Sequence, residues 1–306
     1  MATTQQASPA PRPGVVPEGG LAAQLRLPRG KVNMGSLDPR AKTGFPGKDK
    51  KDAAKIADEM LAPLSDLQER IFARGRSQPE TAPRVLLLLQ GMDTSGKGGV
   101  IRHAVGMVDP QGTRIHSFKA PTKEELAHDF LWRIEKQLPA PGIIGVFDRS
   151  QYEDVLVVRV NNLVPQEEWE SRYERINAFE ADCVAKGITL IKCFLNVSYE
   201  EQLERLRERV ERPDKYWKYN PGDLDDRAQW PAFQEAYADA LERCNTDVSP
   251  WYVIPADRKW YRNWAVAQLL LEHLEAMGLE WPAADFDVEA EKKKLDALQA
   301  EAEREA

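Results

Sequence analysis

The residues best suited to chemistry lie in one short stretch, GMDTSGKGG at positions 91–99. Gly91 and Gly96 are separated by four residues and Lys97 follows, which is the spacing of a phosphate-binding P-loop. Glycines let main-chain N–H groups turn inwards and come close to phosphate oxygens. Lys97 can reach the terminal phosphates as a mobile point charge. We therefore predict phosphate or nucleotide binding by the rest of the loop: Gly91, Met92, Thr94, Ser95, Gly96, Gly98 and Gly99.

One position departs from the usual P-loop pattern. Gly98 stands where a serine or threonine normally follows the lysine and supplies a hydroxyl ligand to magnesium. Asp93, inside the loop, is the candidate replacement, because magnesium prefers hard oxygen ligands. A carboxylate beside bound phosphates would be repelled unless a metal lay between them. The alternative is a glycine-rich turn in which Asp93 and Lys97 are simply solvated.

A second candidate carboxylate, Asp148, directly follows the apolar residues 143–147. P-loop proteins place a magnesium-binding carboxylate in such a position. Aspartate is also a favoured helix N-cap, which is the alternative explanation. Arg149 comes next and could bind phosphate in a bidentate manner.

The predicted helix 199–210 permits two interpretations. Leu206 marks its apolar face, and Arg205, Arg209 and Arg212 lie on the opposite face. These arginines indicate either a solvated helix with i,i+4 ion pairs or a lid that closes over phosphates. Four lysines could extend a basic track to this helix, two in a predicted strand-to-helix loop and two beyond the helix: Lys119, Lys123, Lys215 and Lys218.

These candidates need a scaffold, and the apolar pattern predicts one. Residues 85–89 form an apolar run bounded by Pro83 and Gly91, typical of a buried strand. Strands and helices then alternate, which favours an α/β fold with a parallel sheet and helices on both faces. We expect five strands, with the P-loop strand central and Asp148 on its neighbour. Ligands of such sheets bind beyond the carboxyl ends of the strands.

Two segments of the sequence have clear helix signals. The apolar stripe over residues 49–73 predicts an amphipathic helix that Pro63 bends or splits. Residues 122–137 are predicted to form one helix, which begins with a capping box formed by Thr122 and Glu125.

Composition sets the domain limits. Residues 1–45, rich in proline and glycine, are predicted to be disordered or extended. Residues 46–280 are predicted to form one P-loop domain with a lid at about 199–225, and residues 281–306 a tail, as an exposed helix or frayed.

Charge and cysteine content exclude several classes of protein. The net charge of −7 disfavours general nucleic-acid binding. The cysteines, Cys183, Cys193 and Cys244, are odd in number and form no CxxC pair, so neither a disulfide framework nor a zinc site is indicated. No apolar run approaches 18 residues and no signal segment is visible, so we expect no membrane contact and a cytoplasmic location.

Several motifs together resemble the polyphosphate kinase 2 family over about residues 45–280. They are GMDTSGKGG (91–99), DPQG (109–112), SFKAPTKEELAHDFLWR (117–133), FDRSQYEDVLVVRV (147–160), PDKYWK (213–218) and PWYVIPADRKWYRNW (250–264). The family is similar to thymidylate kinases in fold, with a P-loop kinase core and a helical lid. The resemblance implies phosphoryl transfer between inorganic polyphosphate and nucleoside mono-, di- or triphosphates, with Mg²⁺ or, in its place, Mn²⁺.

The resemblance also implies roles for individual residues. Asp93, Lys97, Asp148, Arg149 and Arg209 match catalytic positions, and Asp93 and Asp148 would hold the metal. Basic residues at matching positions would bind phosphates: Lys119, Lys123, Arg133, Lys215 and Lys218. A homo-oligomer is implied as well, because family members are often dimers or tetramers.

Two questions stay open at this level. The segments 117–133 and 155–160 resemble relatives that accept both mono- and diphosphates, whereas Gly98, Gly99 and Asp148 resemble relatives that prefer diphosphates. The activity has two alternatives: an ATP-dependent nucleoside monophosphate kinase of the thymidylate kinase type, and a nucleotide-binding regulator without turnover.

Overall fold

The computed structural model describes Gly14 and residues 16–305. Within them lies a five-stranded sheet in the order β2-β3-β1-β4-β5, with every neighbouring pair parallel. The strands are β1 (Arg84–Gln90), β2 (Thr113–Ser117), β3 (Ile144–Asp148), β4 (Ile188–Asn196) and β5 (Trp251–Pro255). The P-loop strand is central and Asp148 ends the adjacent strand, so the predicted α/β sheet is confirmed.

The helices flank this sheet. They are α1 (Gly20–Leu25), α2 (Lys50–Ser77), α3 (Lys97–His103), α4 (Lys123–Leu126), α5 (Trp132–Glu135), α6 (Val157–Val160), α7 (Gln166–Ala185), α8 (Tyr199–Glu211), α9 (Gly222–Ala228), α10 (Trp230–Arg243), α11 (Lys259–Ala276) and α12 (Val288–Glu305). None of the helices in the described part of the chain is long and apolar enough to cross a membrane.

The central strand is buried on both faces, which is why its sequence is continuously apolar rather than alternating. Leu87 belongs to the larger apolar cluster, whereas Leu86 packs in a second cluster with Phe147 and Leu190. Register places Leu89 beside Asp148, so the carboxyl ends of β1 and β3 meet at one edge. This edge is where the P-loop begins.

The N-terminal segment differs from the prediction. Residues 20–25 are helical rather than disordered or extended, and Leu21, Ala22 and Leu25 are buried. The carboxylate of Glu272 on α11 accepts hydrogen bonds from the N–H groups of Leu21 and Ala22, at 2.9 and 2.8 Å. These contacts come from a residue about 250 positions away, and local composition cannot reveal them. The part of the prediction that concerns residues 1–13 and 15 lies outside the described residues.

Two helix predictions are also corrected. Pro63 does not split α2, since the helix runs unbroken from Lys50 to Ser77. The side chain of Pro63 is exposed, while Leu64 beside it is fully buried against the core and holds the helix in place. Residues 122–137 form two short helices rather than one, although the capping box of Thr122 and Glu125 is present.

Candidate active site

The P-loop runs from the end of β1 to the start of α3, and its backbone has three unusual conformations. Gly91, Thr94 and Gly96 have φ angles of 155°, 62° and 107°. A Cβ at Gly91 would lie 2.8 Å from the carbonyl oxygen of Leu195, so only glycine fits there. Thr94 adopts the left-handed region despite its β-branched side chain, which costs on the order of 1 kcal/mol and is typical of functional loops.

Lys97 is folded back on the loop that precedes it. Its Nζ donates hydrogen bonds to the carbonyl oxygens of Gly91, at 2.8 Å, and Met92, at 3.4 Å. Burial lowers the pKa of this ammonium group and Arg149 lowers it further, whereas the carboxylates of Asp93 and Asp148 raise it. Lys97 is therefore placed inside the concave side of the loop, where a phosphate would be bound.

Asp93 and Arg149 form the central ion pair of the site. Arg149 Nη2 donates to Asp93 Oδ1 over 3.0 Å. Burial raises the pKa of Asp93, but Lys97 and Arg149 outweigh it and lower that pKa overall. Arg149 has a φ of 67°, and its N–H donates to the carbonyl oxygen of Leu89 over 3.1 Å, which links β1 to the turn after β3.

The carboxylate of Asp148 has an oxygen that could bind a cation. Its Oδ2 lies 3.5 Å from the Ser117 hydroxyl, while Oδ1 is buried and has no hydrogen-bond partner among the described residues. The hydroxyls of Thr94 and Ser95 are buried without partners in the same way. Buried polar atoms are normally satisfied, so this set of oxygens fits a bound cation and phosphates.

These protein oxygens would not complete a metal site alone. Within residues 16–305, no group of three or more histidine, cysteine or acidic side chains is arranged to hold a metal ion. Magnesium commonly binds through one or two carboxylates and fills its other positions with water and substrate phosphates. The donors present therefore suit magnesium brought with a phosphate substrate.

A buried polar network supports the turn that carries Arg149. The Lys192 ammonium lies 2.6 Å from Glu180, and both side chains are almost completely buried. The Tyr152 hydroxyl donates to Glu180 over 2.7 Å, and Gln151 Nε2 donates to the same carboxylate over 2.9 Å. Breaking a buried pair of this kind is strongly destabilising. The network fixes residues 151–152, three and four positions after Asp148, and it was not predicted from the sequence.

A cavity of about 620 Å³ opens beside the loop. Three of the predicted residues with positive charge line it: Lys119, Arg133 and Arg149. Arg172 and Arg175 of α7 also line it. Neither arginine was predicted to be part of the site, because arginines spaced in this way along a helix are usually exposed to solvent.

Acidic residues share the same cavity. Glu153 lines the cavity together with Arg149 and accepts a hydrogen bond of 2.5 Å from Gln90. Burial raises the pKa of Glu153. Asp226 of α9 faces Asp93 from the lid side; burial and then the Asp93 charge raise its pKa to about 6. Neither was predicted. Glu153 lies within the motif of residues 147–160, which was the only available signal.

The lid residues are mostly engaged with one another. Arg209 donates to Asp223 over 2.8 Å and to the carbonyl oxygen of Lys218 over 3.0 Å. Lys215 is paired with Glu208, which also pairs with Lys259. Eleven predicted phosphate-binding or catalytic residues are not among those lining the cavity: Thr94, Ser95, Gly96, Lys97, Gly98, Gly99, Lys123, Asp148, Arg209, Lys215 and Lys218.

The prediction for Arg205 of α8 was wrong. This residue was grouped with Arg209 and Arg212 on a solvated or lid-facing surface, but its side chain is buried, with 6% exposed. Its guanidinium reaches the P-loop instead, where it donates to the carbonyl oxygens of Thr94 and Ser95. Helical periodicity correctly predicted that Leu206 faces the core. It could not show that the P-loop covers Arg205 on another side of the helix.

The sheet order, the P-loop after the central strand and the carboxylate at the end of β3 define a kinase of the P-loop type. A family model described as polyphosphate kinase 2 (PPK2) matches residues 49–281. This chain therefore belongs to the polyphosphate kinase 2 family.

Individual relatives agree with this assignment. An AMP/ADP-polyphosphate phosphotransferase of Meiothermus ruber is 44% identical over 255 residues, which are 83% of this chain and 93% of that protein. An ADP-polyphosphate phosphotransferase of Rhodopseudomonas palustris is 36% identical over 85% of this chain and 91% of that protein. The crystal structure of polyphosphate kinase 2 from Arthrobacter aurescens TC1 superimposes with a TM-score of 0.87 at 47% identity, covering 92% of this chain and 99% of that one.

Proposed function

We propose that this protein transfers phosphoryl groups between inorganic polyphosphate and nucleoside mono- or diphosphates, with magnesium. The observation that carries the proposal is the convergence of Lys97, Asp93 and Arg149 at the carboxyl end of the central strand. Phosphoryl transfer needs mainly positioning and stabilisation of charge, and this arrangement offers both. The family and the named activities of its relatives point in the same direction.

The P-loop would bind the phosphate that is transferred. Its main-chain N–H groups and the positive end of α3 attract an anion. Lys97 would leave its contacts with Gly91 and Met92 and donate to phosphate oxygens instead. Arg149 would stabilise the charge that develops on the moving group, since a guanidinium offers two parallel donors.

Magnesium would be held by Asp148 and Asp93. When bound, the ion would neutralise charge on the phosphates and align them. Asp148 offers a buried oxygen without a partner, and Asp93 offers a carboxylate whose pKa is lowered, so that it is ionised at neutral pH. Arg149 fixes the position of Asp93 before substrate arrives.

Polyphosphate would follow the basic side of the cavity. Lys119 and Arg133 line it, and Arg133 donates over 2.7 Å to the carbonyl oxygen of Lys119, which braces that loop. Arg209 and Lys215 of the lid would join the track only if the lid moved, because their present partners, Asp223 and Glu208, lie within the lid. The exposed Lys218 would join it in the same movement. Lys123 would extend it at the start of α4.

The acceptor is the finer part of the proposal. The Meiothermus ruber relative is named for both AMP and ADP, and the Rhodopseudomonas palustris relative for ADP. We expect this chain to use both kinds of acceptor. The test is to supply purified protein, magnesium and long-chain polyphosphate with AMP, ADP, GMP and GDP in turn. Product from diphosphates alone would restrict the proposal to the diphosphate class.

We further propose that the protein acts in the cytoplasm as a homo-oligomer. Cys183, Cys193 and Cys244 are free and buried, which suits a reducing compartment. Sedimentation of the purified chain tests the assembly, and a monomer at all concentrations would contradict it.

A further inference from the structure

Two buried arginines contact the outer side of the P-loop. Arg205 Nη1 donates to the carbonyl oxygens of Thr94, at 2.9 Å, and Ser95, at 3.1 Å. Arg262 Nη1 donates to the same Ser95 oxygen over 3.0 Å. Only 6% of Arg205 and 3% of Arg262 is exposed. Both therefore contact the loop from the side of its carbonyl oxygens.

The contacted carbonyl groups belong to the peptide units whose N–H groups serve the loop. The Thr94 carbonyl is joined to the Ser95 N–H, which donates to the Met92 carbonyl oxygen over 3.1 Å and so closes the turn of the loop. The Ser95 carbonyl is joined to the Gly96 N–H, which has no acceptor among the described residues. A cation bound to the oxygen of a peptide group polarises it and makes its N–H a stronger donor. It also fixes the orientation of the peptide plane. The arginines therefore act on a donor, the Gly96 N–H, that an anion in the loop would meet.

We propose that Arg205 and Arg262 are positioning residues that hold the Gly96 N–H group ready for phosphate, because both donate to the carbonyl oxygen of the same peptide unit. The proposal rests on the proposed function, because it concerns the same phosphate site. Neither arginine would touch the substrate. Their effect would pass through the peptide groups of the loop and through the positive potential that they add behind it.

The charges of the two arginines support this role over a purely structural one. Arg205 is paired with Glu201 at 2.8 Å. Arg262 has no ion-pair partner in the described part of the chain, and its remaining donors go to the side chain of Asn263. Burial and the nearby Arg205 lower the pKa of Arg262 to about 9. An unpaired buried cation opposes folding, and an anion in the P-loop would compensate it.

The glycines of the loop agree with this arrangement. A Cβ on Gly96 or Gly99 would overlap the Arg262 guanidinium, whereas a Cβ on Gly98 would meet nothing within 4 Å. Gly99 has an ordinary helical position in α3, where alanine would be more stable by about 1 kcal/mol. The space that Arg262 occupies explains why residue 99 has no side chain.

Arg205 also ties the lid helix to the core. Its Nη2 donates to the carbonyl oxygens of Ala256, at 2.6 Å, and Asp257, at 3.0 Å, which follow β5. The first turns of α8 are thereby fixed to both the P-loop and the β5 loop. Any movement of the lid would have to begin beyond Arg205.

Binding of inorganic tripolyphosphate to the full chain, measured by calorimetry, tests the proposal. Arg262→Met should weaken binding by about tenfold or more, the size expected when a charged hydrogen-bond partner is lost. Arg262→Lys keeps the charge and one donor and should recover most of that loss. Arg74→Met is the matched control, since Arg74 is also 3% exposed and donates to a main-chain oxygen, that of Glu280, away from the loop. It should lower the melting temperature but leave tripolyphosphate affinity within about twofold.

A second pair of variants keeps the test valid if Arg262→Met does not fold. Gly99→Ala should displace the guanidinium and weaken tripolyphosphate binding more than Gly98→Ala does, although both add one methyl group to the same helix turn. Equal losses in the two alanine variants, or parental affinity in a folded Arg262→Met, would overturn the inference while leaving the proposed function intact. A parent chain that binds no tripolyphosphate would overturn both.

Discussion

Arg149 donates a hydrogen bond of 3.0 Å to Asp93, which joins the turn after β3 to the carboxylate of the P-loop. The two residues are 56 positions apart, and the parallel pairing of β1 with β3 brings them together. The ion pair fixes the P-loop carboxylate against the turn after β3 and so organises the site. Reactions that depend on charge stabilisation gain most from such preorganisation.

Removing the charge of Asp93 should therefore impair catalysis more than folding. We expect Asp93→Asn to lower turnover by about 100-fold or more and to weaken the response to magnesium. The Asp93 side chain is mostly buried, but asparagine keeps an oxygen that can accept the hydrogen bond from Arg149, so the free energy of unfolding should fall by only about 1–2 kcal/mol. Turnover titrated with magnesium, beside a urea melt, measures both. Asp58→Asn, on the exposed face of α2, is the control, and near-parental turnover in Asp93→Asn would exclude the metal role.

The lid predicts a contrast between two arginines of the same helix. Arg209 is partly buried against Asp223, while Arg207 is exposed. Arg209→Ala should lower turnover at least about tenfold, because its charge would be lost from the closing lid. Arg207→Ala should change neither turnover nor stability beyond about 0.5 kcal/mol. Steady-state rates of the two variants test this contrast, and equal rates would show that Arg209 has no part in catalysis.

Polyphosphate binding should depend on salt more steeply than nucleotide binding. The protein carries a net charge of −7, so attraction must come from a local basic track, which salt screens over about 8 Å at physiological ionic strength. Lys119→Ala should weaken polyphosphate more than nucleotide and reduce the salt slope, by the logic of counterion release. Lys55→Ala, an exposed lysine on α2, should do neither. Titrations at several salt concentrations provide the slopes, and equal slopes for both ligands would count against the track.

Stability should fall in mild acid because of His273. This imidazole is fully buried between the Tyr252 hydroxyl and the Leu269 carbonyl, and burial lowers its pKa from 6.5 to about 4. The unfolded chain therefore binds the extra proton first, and stability decreases as pH falls from above 6.5 towards 4. Between pH 7 and 5 this group alone should remove about 2 kcal/mol.

His273→Gln isolates that contribution, because glutamine keeps a polar group near Tyr252 but does not titrate. Urea melts of both proteins at pH 7 and pH 5 should show a smaller loss in the variant than in the parent. If both lose the same free energy of unfolding, another group is responsible for the acid sensitivity.

The sequence was sufficient where a local pattern determines the structure. The apolar run before Gly91 and the spacing to Lys97 predicted the central strand and the P-loop. The alternation of strands and helices predicted a parallel sheet with Asp148 on the strand adjacent to the P-loop strand, and the structure confirms this. The capping box at Thr122 was equally local, and it was found.

The rest depends on contacts between distant residues, which a single sequence does not display. Glu272 caps α1 from the far end of the chain, and this contact makes an apparently disordered segment helical. Nothing in the sequence near Arg205 and Arg262 indicates that they are buried. In the structure both donate hydrogen bonds to carbonyl oxygens of the P-loop. Arg209 and Lys215 of the lid were expected near the phosphates, but their charges are paired with Asp223 and Glu208 within the lid.

The proposed function requires that polyphosphate is the phosphoryl donor and that the reaction depends on magnesium and on the P-loop. Purified protein should be mixed with magnesium, ADP and long-chain polyphosphate, and ATP measured against time, with Lys97→Met as the background. ATP should form in the parent at a rate that depends on magnesium, and Lys97→Met should form essentially none. ADP formed from AMP with ATP as the donor, and no product with polyphosphate, would contradict the claim and identify an ordinary nucleotide kinase.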